Sequence, residues 1–409
     1  MIYQDILNIL GINVLPEYFE PCFNEFKEKF ESGLKDEEFI TDDTLNLLAE
    51  QGFINPDCIG DVTNCLEKIQ SDSELDFTIK YLYFVICEKR NPWENHLYIT
   101  PAPEKLGDER FVFPLILLIK VLDKGMKNAR QSGIDESYIA QLKGVVAYAT
   151  HDRSEQRWEV RNIYNWHLNS AMGMMFLIGR IKYEPSMIDE NYLGLRRKAD
   201  GKLLFVYKNT ADINEYGQFC RNEAVVDFKT SYSETDSEII ANPIHPSGKI
   251  LMEKVRLNKT EWEVAVKGGD MALSMHIPSG EGYNAEQIGK SFREALVFYK
   301  KTFPALEIKC FVCYSWLYSP QLTELLPETS GINIFNRKVY LCPVPSDESG
   351  FYTFVFRTDN FDHETADTST TLKRNFVAFL KSGRRAHNGL LFYPVSMLDR
   401  FGEDIEWAL

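Results

Sequence analysis

The sequence predicts an α+β protein: an all-helical N-terminal part followed by a mixed β-sheet flanked by helices. Up to about residue 170, apolar residues recur at steps of three and four; beyond it, period-two segments dominate. The later segments run as antiparallel strands first, then strand–helix–strand–helix–strand–strand, the order of a sheet domain behind an all-α one. The expected domains are 1–168 and 169–409. A chain of 409 residues with 44% hydrophobic content is enough for two cores.

The helical part opens with PEYFEPCFNEFKEKFESG, which sets Phe19, Phe23, Phe26 and Phe30 at steps of four, three and four. That is one face of an amphipathic helix, with Gly33 as a C-cap, and it is expected to be core. Helical patterns follow in TDDTLNLLAEQG, GDVTNCLEKIQ, LDFTIKYLYFVICEK, VFPLILLIKVLDKGMKNAR and DESYIAQLKGVVAYA. Strand period is almost absent. The loop RNPWENHLYITPAPEKLGDER interrupts the helices; its Trp93 and His96 either touch a ligand or pin the loop to the surface, and pinning is favoured.

The character changes near FLIGRIKYEP. LGLRRKADGKLLFVYKN is a hairpin turning at Asp200-Gly201. Strands are expected in SYSETDSEIIANPIHP and in WEVAVKGGDMALSMHIP, the latter as a hairpin turning at Gly268-Gly269. A helix over 285–302, the strand IKCFVCYSW, a short helix PQLTELLP and strands near NRKVYLCPV and FYTFVFR come next. The helix TSTTLKRNFVAFLKSG and the strand GLLFYPV close the chain.

The net charge of −15, without a Lys/Arg block, argues against nucleic acid as a partner. No signal peptide is visible in MIYQDILNIL, and FVFPLILLIKVL is broken by Lys120 and too short to span a bilayer. A cytoplasmic protein is expected. Eight cysteines are scattered. Cys310 and Cys313, the single CxxC, sit three apart on a strand and so face opposite ways, which suits buried reduced thiols better than a redox pair or a metal site.

HIPSGEGYNAEQIGKSF, residues 276–292, poses the functional question. A strand ends at His276, and Pro278 stops regular pairing. Ser279, Gly280, Glu281, Gly282 and Tyr283 form a turn, and Asn284 caps a helix with Gln287 three residues on. Bare N–H groups at a helix N-terminus, with glycines that allow close approach, suit a phosphate. An ordinary capped strand-to-helix connection explains the same residues. Lys290, with Arg293 and Lys300, lies near another face of the helix.

HIPSGEGYNAEQIGKSFREALVFYKKTFP, then FVCYSWLYSPQLTELLP, resembles a family of bacterial acyltransferases with a helical N-terminal domain and a C-terminal domain like the GCN5-related N-acetyltransferases (GNAT). LIGRIKYE is similar to that family's LGRLxFE segment, NPIHPSGK to its HP-x-x-P/S-x-G turn, and WHLNS, with His167, to its W-L-x-L-H stretch. The resemblance covers roughly residues 140–390. It implies a GNAT-like mixed sheet and acyl-CoA or CoA as co-substrate, with pyrophosphate held by Ser279, Gly280, Glu281, Gly282, Tyr283 and Asn284, helped by Lys290. The turn departs from the family's Q/R-x-x-G-x-G/A pattern: it lacks the leading Arg or Gln and carries Glu281. No metal is implied.

Direct amide formation needs a base for the amine and an acid for the leaving thiolate. His276 is the expected base, with His245 and His167 as other candidates. Ser315 is the expected donor or orienter, Tyr314 the competing acid, and Cys313 a possible covalent carrier. The expected activity is acyl transfer from acyl-CoA to a small amine or amino-acid-like acceptor. A non-catalytic acyl-CoA-binding or regulatory module is the alternative, and a thiol hydrolase using Cys313 and His276 the third reading.

Overall fold

The aromatic stripe near the N-terminus is core. Phe19, Phe23 and Phe26 are buried, and the rings of Phe26 and Phe30 meet Phe77 with centroids 4.9 and 4.8 Å apart. A fully buried phenylalanine contributes about 2–3 kcal/mol by removing apolar surface from water. The computed structural model describes residues 1–93, 97–147, 149–152, 157–160, 164–221, 225–280, 283–358 and 360–409. It forms two units, Met1–Leu177 and Ile178–Leu409. His96 lies outside the described residues, and Trp93 is partly buried.

The first unit contains α1 (Tyr3–Leu10), α2 (Phe23–Glu31), α3 (Asp42–Glu50), α4 (Ile59–Ser71), α5 (Ser73–Phe84), α6 (Phe113–Gln131), α7 (Glu136–Ile139), α8 (Lys143–Ala147) and α9 (Tyr164–Ala171). Most of α5 is buried, including an Asp76–Lys80 ion pair at 2.9 Å, one turn apart along the helix. Inward residues of α6 run from Phe113 to Ala129. No hairpin was expected in this part, yet β1 (Ala149–Asp152) pairs antiparallel with β2 (Arg157–Val160). Strands of four residues are too short to declare a period.

The second unit begins with β3 (Phe176–Ile178), which straddles the boundary, and β4 (Ile181–Met187). Then come β5 (Tyr192–Arg197), β6 (Leu203–Tyr207), β7 (Asp212–Ile213), β8 (Phe228–Lys229), β9 (Tyr232–Glu234), β10 (Glu238–Ala241), β11 (Pro243–His245), β12 (Lys249–Ile250), β13 (Val255–Asn258), β14 (Trp262–Lys267) and β15 (Met271–His276). The chain continues through α10 (Ala285–Thr302), β16 (Ile308–Ser315), α11 (Leu322–Leu325), α12 (Gly331–Asn336), β17 (Tyr340–Pro343), α13 (Ser349–Phe351), α14 (Thr371–Lys381) and β18 (Gly389–Pro394). One sheet has the order β17-β18-β16-β15-β4-β3 and a second the order β12-β11-β6-β5-β14. β15 and β16 are parallel and are joined by α10.

The Asp200-Gly201 turn joins β5 and β6 as a hairpin. The expected hairpin at Gly268-Gly269 is not one. β14 pairs with β5 in one sheet, and β15 pairs with β4 in the other. Alongside, β4 leads into β5, and Ile188 exchanges backbone hydrogen bonds with Gly269 and Asp270. Two bent segments therefore cross together from sheet to sheet. Glycine permits the crossing, because a Cβ on Gly268 would stand 2.3 Å from the Glu190 backbone. The expected strand FYTFVFR is also absent: α13 runs into a π-turn at Tyr352–Phe356. Apolar residues occupy both alternations there, so the run carries no usable period.

Between the sheets lie Phe205, Ala272, Cys310, Val312, Tyr340 and Phe392. Helix α10 covers the other face of the six-stranded sheet. Asn284 caps it by accepting the Gln287 N–H at 3.0 Å. Its Phe292 ring lies flat on Phe311, with centroids 3.9 Å apart and 6° between planes.

One contact in the first unit tolerates no addition. A Cβ on Gly125 of α6 would stand 1.9 Å from the Ala171 carbonyl oxygen. Gly125→Ala is expected to destabilise the protein by about 3 kcal/mol, the range of core overpacking, seen as a lower midpoint in urea. An unchanged midpoint would show that α6 and α9 do not approach so closely.

Candidate active site

β15 and β16 pair as far as Ser274↔Val312 and then part. β15 continues to His276 along β4, and β16 continues to Ser315 along β18. Each strand keeps its outer neighbour and gives up its inner one. Backbone groups on the two inner edges then need other partners. The Met275 carbonyl finds one in the Cys313 thiol, which donates to it at 3.0 Å.

The chain leaves β15 through the turn that raised the functional question. Arg180 braces it: its guanidinium donates to the carbonyls of Pro278 and Gly280, at 2.7 and 3.1 Å. Ser279 and Gly280 are exposed. Gly280 has φ +123°, and a Cβ there would meet nothing within 4 Å, so its backbone borders open space. Glu281 and Gly282 lie outside the described residues. Tyr283 turns inward, where its ring packs on Phe335 with centroids 4.9 Å apart and its hydroxyl donates to that of Tyr318 at 3.2 Å. Asn284 is the helix cap. Lys290 points to solvent beside Glu294, 3.8 Å away.

Strand register decides which side chains share a face. His276 sits opposite Lys182, and Ser274 opposite Glu184. These four belong to the face of Ala272, away from α10. The His276 Nε2 lies 3.1 Å from the Glu184 carboxylate, whose side chain is 14% exposed against 34% for the imidazole. Burial pulls the Lys182 ammonium down to about 8, and Glu184 opposes that shift. Alternation along β16 puts Tyr314 on the same face as Val312, and hence on the face of His276. Its ring is more than half exposed, and its hydroxyl accepts from the Asn388 Nδ2 at 2.8 Å.

Cys313 and Ser315 belong to the opposite, α10-covered face with Phe311. Burial pushes the Cys313 thiol up to about 12, although a hydrogen bond with Tyr318 works against that. At neutral pH it is a thiol and a poor nucleophile. Cys310 is also buried and is likewise raised by burial. The Ser315 hydroxyl accepts the Leu317 N–H at 3.2 Å and caps the short helix Trp316–Tyr318. The sequence paired His276 with Ser315; the register sets them on opposite faces and brings Tyr314 to the histidine's side.

His245 is elsewhere in this unit. Its Nδ1 is 2.8 Å from the Ser247 hydroxyl, and burial, then Lys249, lowers its pKa. It lines a cavity of about 550 Å³ with Ser319, Thr323, Asn333 and Arg337. His167 is buried in α9 of the first unit. Sequence reasoning passed over Arg180, Lys182, Glu184 and Asn388. The first three had a signal: in GRIKYE, charged residues alternate with Ile181 and Tyr183, which puts them on one face of a strand. Asn388 had none.

The fold has known counterparts. A solved acyltransferase in complex with decanoyl-CoA aligns with TM-score 0.58 and 16% identity, over 96% of this chain and 99% of that one. An acyltransferase in complex with CoA and 10C-teicoplanin aligns with TM-score 0.56 and 16% identity, over 97% and 100%. At that identity the likeness is one of fold. No curated protein sequence matches the chain. Among the described residues, no helix is long and apolar enough to cross a membrane. The model of the GNAT-like C-terminal domain matches residues 175–390, more than half of the chain and the whole of the parted-strand region, so the protein belongs to the GNAT-like C-terminal domain family.

Proposed function

We propose that this protein is an acyltransferase that moves an acyl group from acyl-CoA to an amine on a small-molecule acceptor by direct transfer. The observation that carries this reading is the parting of β15 and β16 after Ser274 and Val312. Two inner edges without a ladder offer N–H and C=O groups to the amides of a pantetheine arm. The turn from Ser279 to Asn284, the first N–H groups of α10 and the open space at Gly280 suit the pyrophosphate. The solved relatives in fold support both halves, since one holds decanoyl-CoA and others hold teicoplanin as well. Eight free cysteines fit a reducing, cytoplasmic setting.

The face away from α10 supplies the proton chemistry. His276, held by Glu184, accepts the proton of the attacking amine, and Glu184 stabilises the imidazolium that results. As the carbon–sulfur bond breaks, its electron pair stays on sulfur. Tyr314, on the same face, donates a proton to that sulfur. Lys182 balances the charge of Glu184 near neutrality. Ser315 turns the chain out of β16, and Cys313 secures the parted edge without forming an acyl intermediate.

A hundredfold excess of decanoyl-CoA over its Kd is expected to add about 2.7 kcal/mol of stability, a rise in Tm of several degrees. No shift at millimolar CoA and acyl-CoA would overturn the proposal, and a shift without turnover on any amine would leave an acyl-CoA-binding module.

His276→Ala is expected to lower kcat/KM about 100-fold, and less at pH 9, where more of the amine is already neutral. Glu184→Gln is expected to lower kcat/KM about tenfold at pH 7, because the imidazolium loses its anion. Full activity of His276→Ala at pH 7 would remove the base assignment.

Iodoacetamide at pH 8 is expected to leave Cys313 unlabelled in the native protein and to label it in guanidinium, and Cys313→Ala is expected to retain turnover. Native labelling at Cys313 with loss of activity would restore the thiol mechanism.

A further inference from the structure

We infer that Asn388 is a positioning residue that fixes the direction of the Tyr314 proton. The inference rests on Tyr314 being the acid of the proposed transfer. Asn388 stands just before β18, is 3% exposed, and donates from Nδ2 to the Tyr314 hydroxyl oxygen at 2.8 Å. A phenol oxygen that accepts there directs its own proton elsewhere. Tyr314 is 56% exposed, so that proton faces the open side on which His276 also lies.

The seat of Asn388 is unusually constrained. Its own N–H donates to the Ser346 hydroxyl at 2.9 Å, and the N–H of His387 donates to Gln321 Oε1 at 3.1 Å. A Cβ on Gly389 would stand 1.9 Å from the Tyr318 carbonyl oxygen, so the next residue is clamped as well. The Asn388 Oδ1 is buried without a hydrogen-bond partner among the described residues and is turned toward Gly350. A Cβ on Gly350 would lie 2.3 Å from it. Leaving a buried carboxamide oxygen unpaired costs stability, and what the arrangement gains in return is an Nδ2 aimed at the phenol.

In the transfer, the acceptor nitrogen bonds to the acyl carbon and the carbon–sulfur bond breaks. His276 takes a proton from nitrogen, and Tyr314 gives one to sulfur. Free CoA thiol and amide result, Tyr314 regains its proton from water, and His276 releases one to water. Asn388 takes no proton.

The decisive variant is Asn388→Asp, equal in shape and opposite in sense. A carboxylate accepts the phenol proton instead of donating to the oxygen, which withdraws the acid and raises its pKa. Expected are a fall in kcat of about tenfold with KM for acyl-CoA little changed, and a Tyr314 resonance titrating at higher pH in ζ-13C-tyrosine NMR. Gly350→Ala, which displaces Oδ1 without touching the tyrosine, is expected to lower kcat in the same way. In a Tyr314→Phe background, Asn388→Ala is expected to change kcat less than twofold, whereas in the wild type it lowers kcat about tenfold. Equal losses in both backgrounds, or an unmoved tyrosine titration, would overturn the inference. A wild-type protein that transfers no acyl group would instead refute the acyltransferase reading, and the NMR titration would still report on the Asn388–Tyr314 contact.

Discussion

Everything at the candidate site depends on one interrupted ladder. Buried backbone groups seldom go unpaired, so two neighbouring strands separate only where something else holds their outer edges and meets the exposed groups. β4 holds β15 to its last residue, and β18 does the same for β16. The Phe292 ring, flat on Phe311, ties the connecting helix to the paired portion below the parting. Above it, the Cys313 thiol takes the Met275 carbonyl and Arg180 takes those of Pro278 and Gly280. The opening is therefore built into the fold.

Charge around that opening is mixed, within a molecule that is acidic overall. The chain carries −15, which disfavours a polyanionic ligand at long range. At the turn, Arg180 donates to the Pro278 and Gly280 carbonyls and the N-terminus of α10 follows, while the sequence there also holds Glu281 and Glu286. On the face away from α10, Glu184 lies 3.1 Å from His276 and opposes the burial that lowers Lys182. Specific N–H donors at short range, rather than a broad positive field, are what this geometry offers a phosphate. Binding of that kind is less sensitive to salt than binding by a basic patch.

Much of this is legible in the sequence, and the failures have physical causes. The α10 helix is readable over 285–302, its start marked by the Asn284–Gln287 cap. Alternation alone assigns the faces of β15 and β16. It cannot say that β14 and β15 lie in different sheets, since a pair of glycines marks a hairpin turn and a sheet crossing equally well. It cannot choose between strand and helix for FYTFVFR, where both alternations are apolar. Ser315 and Tyr314 both read as hydroxyl donors, and the pairing of β16 with β15 sets Tyr314, not Ser315, on the face of His276. Asn388 is beyond the reach of sequence, because its contact with Tyr314 spans 74 positions of the chain.

The alternation along β16 shows why so short a strand can serve two purposes. Phe311, Cys313 and Ser315 face α10, where burial makes a thiol inert and turns a serine into a cap. Val312 and Tyr314 face the other way, the first under the second sheet and the second beyond its cover. A one-residue slip in register would exchange the two sets, burying a phenol and exposing a thiol. That slip is opposed at both ends: Phe311 stacks flat on Phe292, and Gly389, which pairs with Ser315, leaves no room for a side chain beside the Tyr318 carbonyl. The packing that fixes the register thus also decides which of two adjacent side chains, the Cys313 thiol or the Tyr314 phenol, lies on the open face.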